Sequence, residues 1–353
     1  MKKIKIKELG KIISGGTPST ANENFWDGEL IWITPKDLSK NKSKYIFNGE
    51  RNITQDGLEH SSAKLLPVNS VLLSSRAPIG YLAIAGCELT TNQGFKSIIC
   101  DESIVLPEYL YYSLSTKIAD LISISYGSTF LELSKSSFEN FELSIHSIQE
   151  QQHIVDTIGS IDDLIEHKIK MLNKLDKFET YLYQKEGFNI DKFSLADSIK
   201  FIKGKKPKSV TSIGASYLTI DALENGTFTF ANDINLIYCK ETEILMVMDG
   251  ASSGKVYIGN EGIVGSTLAK IETDINPYYL YIYLKNNYEN ISGHNTGSAI
   301  PHTNKDIIFN LQISKNKFSN EFYNNLLNLR INLNKEIFKL KKEKNMYLQK
   351  FFD

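Results

Sequence analysis

A proline followed by a run of aromatics occurs twice in this chain. Pro107-Glu-Tyr-Leu-Tyr-Tyr-Ser-Leu114 returns as Pro277-Tyr-Tyr-Leu-Tyr-Ile-Tyr-Leu284, 170 residues later. The same offset sets Gly127-Ser128 on Gly297-Ser298 and Phe138-Glu-Asn-Phe-Glu-Leu143 on Ile308-Phe-Asn-Leu-Gln-Ile313. Three matches in one register make the chain two copies of one module, which constrains every later reading of domains. Upstream the offset drifts to 174, for Gly80 with Gly254 and Lys96 with Lys270, and then to about 186 for Leu9 with Leu195, as loop insertions would cause.

Each copy ends in a long apolar stripe. Ile154, Ile158, Ile161, Ile165, Leu172, Leu175 and Leu182 recur at helical spacings of three, four and seven. Ser147 with Glu150 forms a capping-box pattern where this helix should begin. From residue 319 the tail repeats the theme with Phe322, Leu326, Leu329, Leu333, Ile337, Leu340, Tyr347 and Phe351. A helix of about 35 residues runs roughly 50 Å, too long for an element confined to one small domain. The two stripes therefore predict helices that pair with each other, antiparallel because a whole module separates them. Within a module Ile31–Ile33, Val71–Leu73, Tyr81–Ala85, Lys96–Ile99, Glu243–Met248 and Lys255–Ile258 read as short strands, and the segments after Pro107 and Pro277 as one helix each.

Composition excludes several classes. The 353 residues carry 40 basic and 41 acidic side chains, and 41% are hydrophobic, so the chain can bury cores and is neither fibrous nor disordered. No apolar run approaches the roughly 20 residues of a membrane span, which predicts a cytoplasmic protein with no membrane partner. Cys87, Cys100 and Cys239 lack metal or disulfide spacing and read as buried small hydrophobes. The six histidines show no metal spacing. Asn276-Pro277-Tyr278 lacks one proline of the Asn-Pro-Pro-Tyr loop of amino-methyltransferases and reads as a helix start. Gly250-Ala-Ser-Ser-Gly254-Lys255-Val256 is one residue short of a phosphate loop and reads as a hairpin turn. No catalytic set and no metal site can be assembled. Sorted by segment, only the tail (315–353) is clearly basic, with nine basic and four acidic residues. Module 2 concentrates lysines in Lys203-Gly-Lys-Lys-Pro-Lys208, at the place where module 1 has Ser14-Gly-Gly-Thr-Pro-Ser-Thr20. A polar loop at one place in both copies suits contact with phosphate, and suits a solvated turn equally.

The order of these features resembles a known family. A polar Gly-rich loop is followed by Val71-Leu-Leu-Ser-Ser-Arg-Ala-Pro-Ile-Gly80, Thr91-Asn-Gln-Gly-Phe95, Gly127-Ser-Thr129 and Ser147-Ile-Gln-Glu-Gln-Gln-His-Ile154 opening a long helix. This is similar to the specificity subunit of type I restriction-modification systems, over nearly the whole chain. Two departures stand out: Ser144-Ile-His-Ser147 lacks the prolines common before the helix, and Lys315-Asn-Lys-Phe-Ser-Asn-Glu321 replaces the Glu-Gln pattern in the second copy. The resemblance implies an α+β fold of two duplicated mixed α/β target-recognition domains, 1–146 and 188–314, separated by two long helices, 147–187 and 315–353, forming an antiparallel coiled coil. It implies a non-catalytic reader of double-stranded DNA, with one domain per half of a bipartite target. The partners implied are two methyltransferase subunits, which would hold S-adenosylmethionine, and motor-nuclease subunits; this chain would bind no cofactor. A stand-alone DNA-modifying enzyme and a coiled-coil scaffold are the alternatives.

Candidate reading residues follow from side chains able to address base edges. In module 1 they are Lys36, Ser74, Arg76, Asn92, Gln93 and Thr129; in module 2 they are Lys205, Lys206, Ser253, Lys255, His294, Asn295, Ser298 and His302. Arg76 stands first, as one of only three arginines, with Arg51 and Arg330, and beside a Pro-Ile-Gly turn.

Overall fold

A computed structural model describes residues 1–353 except 42, 128–130, 187–191, 227, 234, 298–299 and 316–317. The chain divides into two compact units, residues 1–166 with 340–353 and residues 167–339. Each unit thus holds one module, one half of the central helix Ile148–Glu186 and one part of the terminal helix Asn320–Phe352, the longer part in unit 2.

In unit 1 a five-stranded sheet runs in the order Gly10–Ser14, Lys96–Cys100, Val71–Ser75, Ile79–Ala85, Tyr45–Ile46. A three-stranded sheet holds Arg51–Ile53, Trp26–Ile33 and Thr90–Thr91, and Lys2–Lys5 pairs with Glu142–Ile145. Val71, Leu72 and Leu73 are all fully buried, the pattern of a strand covered on both faces. The helix Pro107–Thr116 starts with proline in its first turn, where a missing N–H costs nothing, and buries Tyr109, Leu110, Tyr112 and Leu114.

Unit 2 repeats this plan. Its first sheet runs Ile199–Lys203, Leu268–Thr273, Ile244–Val247, Val256–Tyr257, and Lys192–Ser194 pairs with Gln312–Ser314. The second sheet, Thr229–Ala231, Ala215–Leu218, Gly262–Val264, Tyr238–Cys239, stands where unit 1 has its three strands. The helix Pro277–Asn286 is capped by Asn276, whose side chain accepts from the N–H groups of Tyr278 and Tyr279, so the Asn-Pro-Tyr run is a helix start. Leu245 pairs with Tyr257 and Met246 with Val256, so the run from Gly250 to Gly254 is a hairpin turn.

Strand registers correct two pairings of the repeat. Ile12 faces Ile98 as Phe201 faces Ile271, and the short 3-10 turns begin at Ile6 and Leu195. Leu195 therefore corresponds to Ile6, not Leu9. Likewise Lys96 faces Ser14 whereas Ala269, not Lys270, faces Lys203. A slip of one residue moves a side chain to the other face of a strand. Lys96 is 6% exposed, while Lys270 lies on the opposite face in an ion pair with Glu243 at 3.0 Å. Cys239 is buried as expected, but Cys87 and Cys100 are only half-buried.

Both units contain an antiparallel helix pair. In unit 1 the His153 and Phe351 rings lie 6.3 Å apart and Asp162 pairs with Lys344 at 2.6 Å. In unit 2 Lys168 pairs with Glu336 and Glu179 with Arg330, each at 2.6 Å. Numbers rise along one helix as they fall along the other. The central helix opens with the capping box, Ser147 N–H and Oγ both donating to Glu150 Oε2. Ile154, Ile158, Ile161, Ile165, Leu175 and Leu182 are buried and Leu172 is half-buried. On the terminal helix Leu333 and Ile337 are buried, and Phe322, Leu326, Leu340 and Tyr347 are half-buried. Leu329 is 42% exposed and does not belong to the seam. Tyr323, Leu327, Arg330 and Ile331 are buried instead. The stripe of leucines misplaced the face because one residue turns a helix by about 100°, and because a buried arginine interrupts the apolar pattern. Ile161→Asp should cost about 3 kcal/mol or more, whereas Leu329→Asp should stay within about 0.5 kcal/mol of the parent. Thermal unfolding followed by circular dichroism separates them, and equal melting temperatures would contradict this placement.

Candidate nucleic-acid interface

The glycine-rich loops of both modules leave their sheets at the same place. A Cβ on Gly15 would lie 2.2 Å from the carbonyl oxygens of Thr91 and Asn92, and one on Gly204 2.2 Å from that of Val264. Only glycine allows so close an approach of two backbones. Gly16 N–H donates to Thr91 O at 2.9 Å, and the Trp32 indole donates to Gly16 O at 3.0 Å. The loop is thereby laid along the segment Thr91–Gly94, where Thr17 Oγ1 donates to Gln93 Oε1 and Asn92 Oδ1 accepts from Gly94 N–H. A Cβ on Gly94 would sit 3.4 Å from Pro35 and 3.6 Å from the Arg76 stem. Thr17, Pro35, Arg76, Asn92 and Gln93 thus meet at one end of the unit.

Arg76 is in turn bridged to Glu132, with Nη1 3.8 Å from Oε2. At that distance, with 39% of its side chain exposed, the guanidinium keeps free donors. The pair overlooks an apolar cleft lined by Pro78, Ile79, Ile122 and Leu131. Beneath it lies Lys96, whose ammonium burial pushes down in pKa, with Glu132 opposing.

Unit 2 builds the same bridge with the acidic residue on the opposite side. Arg76 pairs across to Glu132, which also bridges Tyr126; Asp249 pairs across to His302, which also bridges Thr296. His302 Nδ1 lies 2.7 Å from Asp249 Oδ1, and Lys203 Nζ lies 2.8 Å from Oδ2. Burial would raise the Asp249 carboxyl, but the hydrogen bonds from Lys203 and His302 outweigh it and hold the group below its usual 3.8. Lys205 and Lys206 follow on the exposed loop. Asn295 Nδ2 donates to Ser253 O at 3.2 Å, while its Oδ1 is buried without a hydrogen-bond partner.

The structure removes two residues from the expected set. Ser74 is fully buried, its hydroxyl donating to Pro78 O and accepting from Tyr81 N–H. Ser253 is fully buried too, donating to the carbonyls of Gly250 and Pro301. Both hydroxyls hold the turns that carry Arg76 and Asp249, and neither can reach a base. Lys36 is exposed and pairs with Glu50 at 2.9 Å. Lys255 is tied to Glu224 at 2.7 Å, away from the bridge, and His294 Nδ1 turns back to Asn290 O at 2.7 Å. Thr129 and Ser298 lie outside the described residues. The sequence candidates omit Glu132 and Asp249 and include Lys203 and Thr17 only as members of their polar loops. The repeat was the available signal for the first two, since an offset of 173 places Arg76 on Asp249 and one of 170 places Glu132 on His302. Among the described residues no cluster of three or more histidine, cysteine or acidic side chains could hold a metal, and no helix is long and apolar enough to cross a membrane.

Residues 1–177 and 189–315 match the family model of the type I restriction modification DNA specificity domain. The chain belongs to that family. It is 43% identical over 202 residues to the type I restriction enzyme MjaIX specificity subunit of Methanocaldococcus jannaschii, covering 55% of this chain and 46% of that one. It is 30% identical over 164 residues to the EcoR124I/EcoR124II specificity subunit of Escherichia coli, covering 44% and 40%. These matches span less than half the length of either relative. The fold is similar to the crystal structure of a type I restriction-modification system S subunit from M. genitalium, with a TM-score of 0.58 at 18% identity over 100% of this chain and 96% of that one.

The Asp249 hub gives a pH test. A carboxyl whose pKa is lowered by folding stabilises the protein above its unfolded pKa, and that contribution is lost as pH falls through the folded value. Asp249→Asn should therefore melt below the parent at neutral pH, with the gap closing as pH falls beneath 3.8. A gap that persists unchanged at pH 3, or about that value, would mean the charge on Asp249 does not hold Lys203 and His302.

Proposed function

We propose that this chain is the sequence-reading subunit of a type I restriction-modification complex, non-catalytic in itself. Residues 1–146 and 188–314 act as two target-recognition domains, each reading one half of a bipartite double-stranded DNA target. The helical segments 147–187 and 315–353 dock two methyltransferase subunits, which hold S-adenosylmethionine, and motor-nuclease subunits join for restriction. The chain itself takes no cofactor and works in the cytoplasm, without a membrane.

The observation that carries this reading is the duplicated bridge. One backbone arrangement, a polar loop entered through a close-packed glycine beside a bridged turn, is used twice and dressed with different side chains, Arg76 with Glu132 in one unit and Asp249 with His302 in the other. Two readers of different half-sequences need that: a constant frame and variable donors. Arg76, Asn92 and Gln93 are the base-reading side chains of the first domain, and Lys205, Lys206 and His302 those of the second, with Lys36, Lys255, His294 and Asn295 at the margins. Acidic neighbours hold most of these side chains in place: Glu50 for Lys36, Glu132 for Arg76, Asp249 for Lys203 and His302, and Glu224 for Lys255. A chain built this way, near neutral overall, releases few counterions by itself, so methyltransferase subunits supply most of the phosphate contacts.

Mapping methylated adenines in a host with and without this chain tests the reading. A motif of two short half-sequences around an unread gap, lost when the chain is removed, is the expected result; an unchanged methylation pattern would overturn it. Within that motif Arg76→Ala should lose about 1–3 kcal/mol of discrimination at one base of one half, in competition binding by the assembled complex. Lys205→Ala should relax preference at one base of the other half in the same assay. A uniform loss for Arg76→Ala would make it a phosphate contact.

A further inference from the structure

The two long helices are copies of one helix, and their caps set the correspondence. Gln151 N–H donates to Ser147 O and Tyr323 N–H to Ser319 O, while the Ser147 and Ser319 hydroxyls accept from Glu150 and Phe322. Counting from these serines, the buried positions coincide: Gln151 with Tyr323, Val155 with Leu327, Ile158 with Arg330, Ile161 with Leu333 and Ile165 with Ile337. The same count sets Glu179 on Phe351.

The most deeply buried corresponding pair of positions differs in kind. In unit 1 Ile158 and Phe351 both belong to the apolar core. In unit 2 their counterparts, Arg330 and Glu179, form an ion pair at 2.6 Å, with Glu179 fully buried and Arg330 9% exposed. The pair is completely served. Glu179 also accepts from Tyr278 Oη and from Lys285 Nζ at 2.9 Å, and Arg330 also reaches Asp176 at 2.6 Å.

We propose that the Glu179–Arg330 pair is a pairing rule that admits only a central helix against a terminal helix. Helices this alike could also pair like with like between two copies of the chain, in the same antiparallel register. Two central helices would then set Ile158 of each copy against Glu179 of the other. Two terminal helices would set Arg330 against Phe351. Either exchange takes from each of two buried charges its opposite charge across the seam, which is more costly than the apolar contacts it would gain. Only the mixed pairing matches charge with charge and apolar with apolar. The rule keeps the two dissimilar modules together and holds whether or not either module reads DNA.

The test uses the full-length chain carrying two different tags, co-expressed, captured through one tag and probed for the other. The parent should show its own tag alone and a single-chain mass by light scattering. Glu179→Phe with Arg330→Ile copies the unit 1 side chains into unit 2. Replacing a whole buried ion pair by apolar groups is usually tolerated, so this double variant should fold. It should raise mixed-tag capture by about tenfold or more, because the most deeply buried mismatch of like pairing is removed. Glu179→Leu with Arg330→Leu carries the same expectation, so one poor packing choice does not decide the matter. Each single substitution should lower the melting temperature without raising mixed capture. Mixed capture in the parent, or a folded double variant as exclusive as the parent, would overturn the rule. Loss of the fold in both double variants would make the pair a packing requirement and overturn it as well.

Discussion

Neither module closes its core with its own residues. Unit 1 is sealed by Ile154, Val155 and Ile158 from the start of the central helix and by Phe352, with Tyr347, Leu348 and Phe351 against it, from the end of the terminal helix. Unit 2 is sealed by Leu182 from the end of the central helix and by Tyr323, Leu327 and Ile331 from the start of the terminal helix. A fully buried side chain of this size contributes about 1.5–3 kcal/mol, against the 5–15 kcal/mol of net stability typical of a domain. A few such residues decide whether a module folds. Each unit therefore depends on chain far from it in sequence, and the helices are structural members before they are anything else.

That dependence frees the opposite ends of the modules. The turns after Val71–Ser75 and Ile244–Val247 are held from below by buried serines, Ser74 and Ser253, so what projects from them can vary. Arg76 faces Glu132 in one, and Asp249 faces His302 in the other. A salt bridge as long and as exposed as Arg76–Glu132 contributes little to stability. On the proposed reading both bridges aim donors, and either arrangement does that.

Much of this was legible in sequence because the signals were local or repeated. The proline helix starts, the strand at Val71–Leu73, the hairpin around Gly250 and the capping box at Ser147 all need only a few neighbouring residues. The seam of the central helix was also readable, because its isoleucines outnumber competing apolar positions. The terminal helix was not: Leu326, Leu329 and Leu333 suggested one face, whereas burial of Arg330 with Glu179 turned another inward. A charged pair at 151 residues' separation leaves no periodic trace. Ser74 and Ser253 were read as surface donors because a serine in a loop-flanking strand looks the same whether it serves a base or a backbone carbonyl. Lys96 and Lys270 seemed equivalent by type, and only the strand register showed that they point to opposite faces.

Amide hydrogen exchange on a chain ending at Lys339 tests the shared-helix architecture most directly. Removing residues 340–353 takes Tyr347, Leu348, Phe351 and Phe352 from unit 1 and leaves unit 2 whole. Protection should fall in Pro107–Thr116 and Val71–Ser75, on the distant side of the sequence, while Pro277–Asn286 and Ile244–Val247 exchange as before. Loss of protection confined to unit 2, or none in unit 1, would contradict the account.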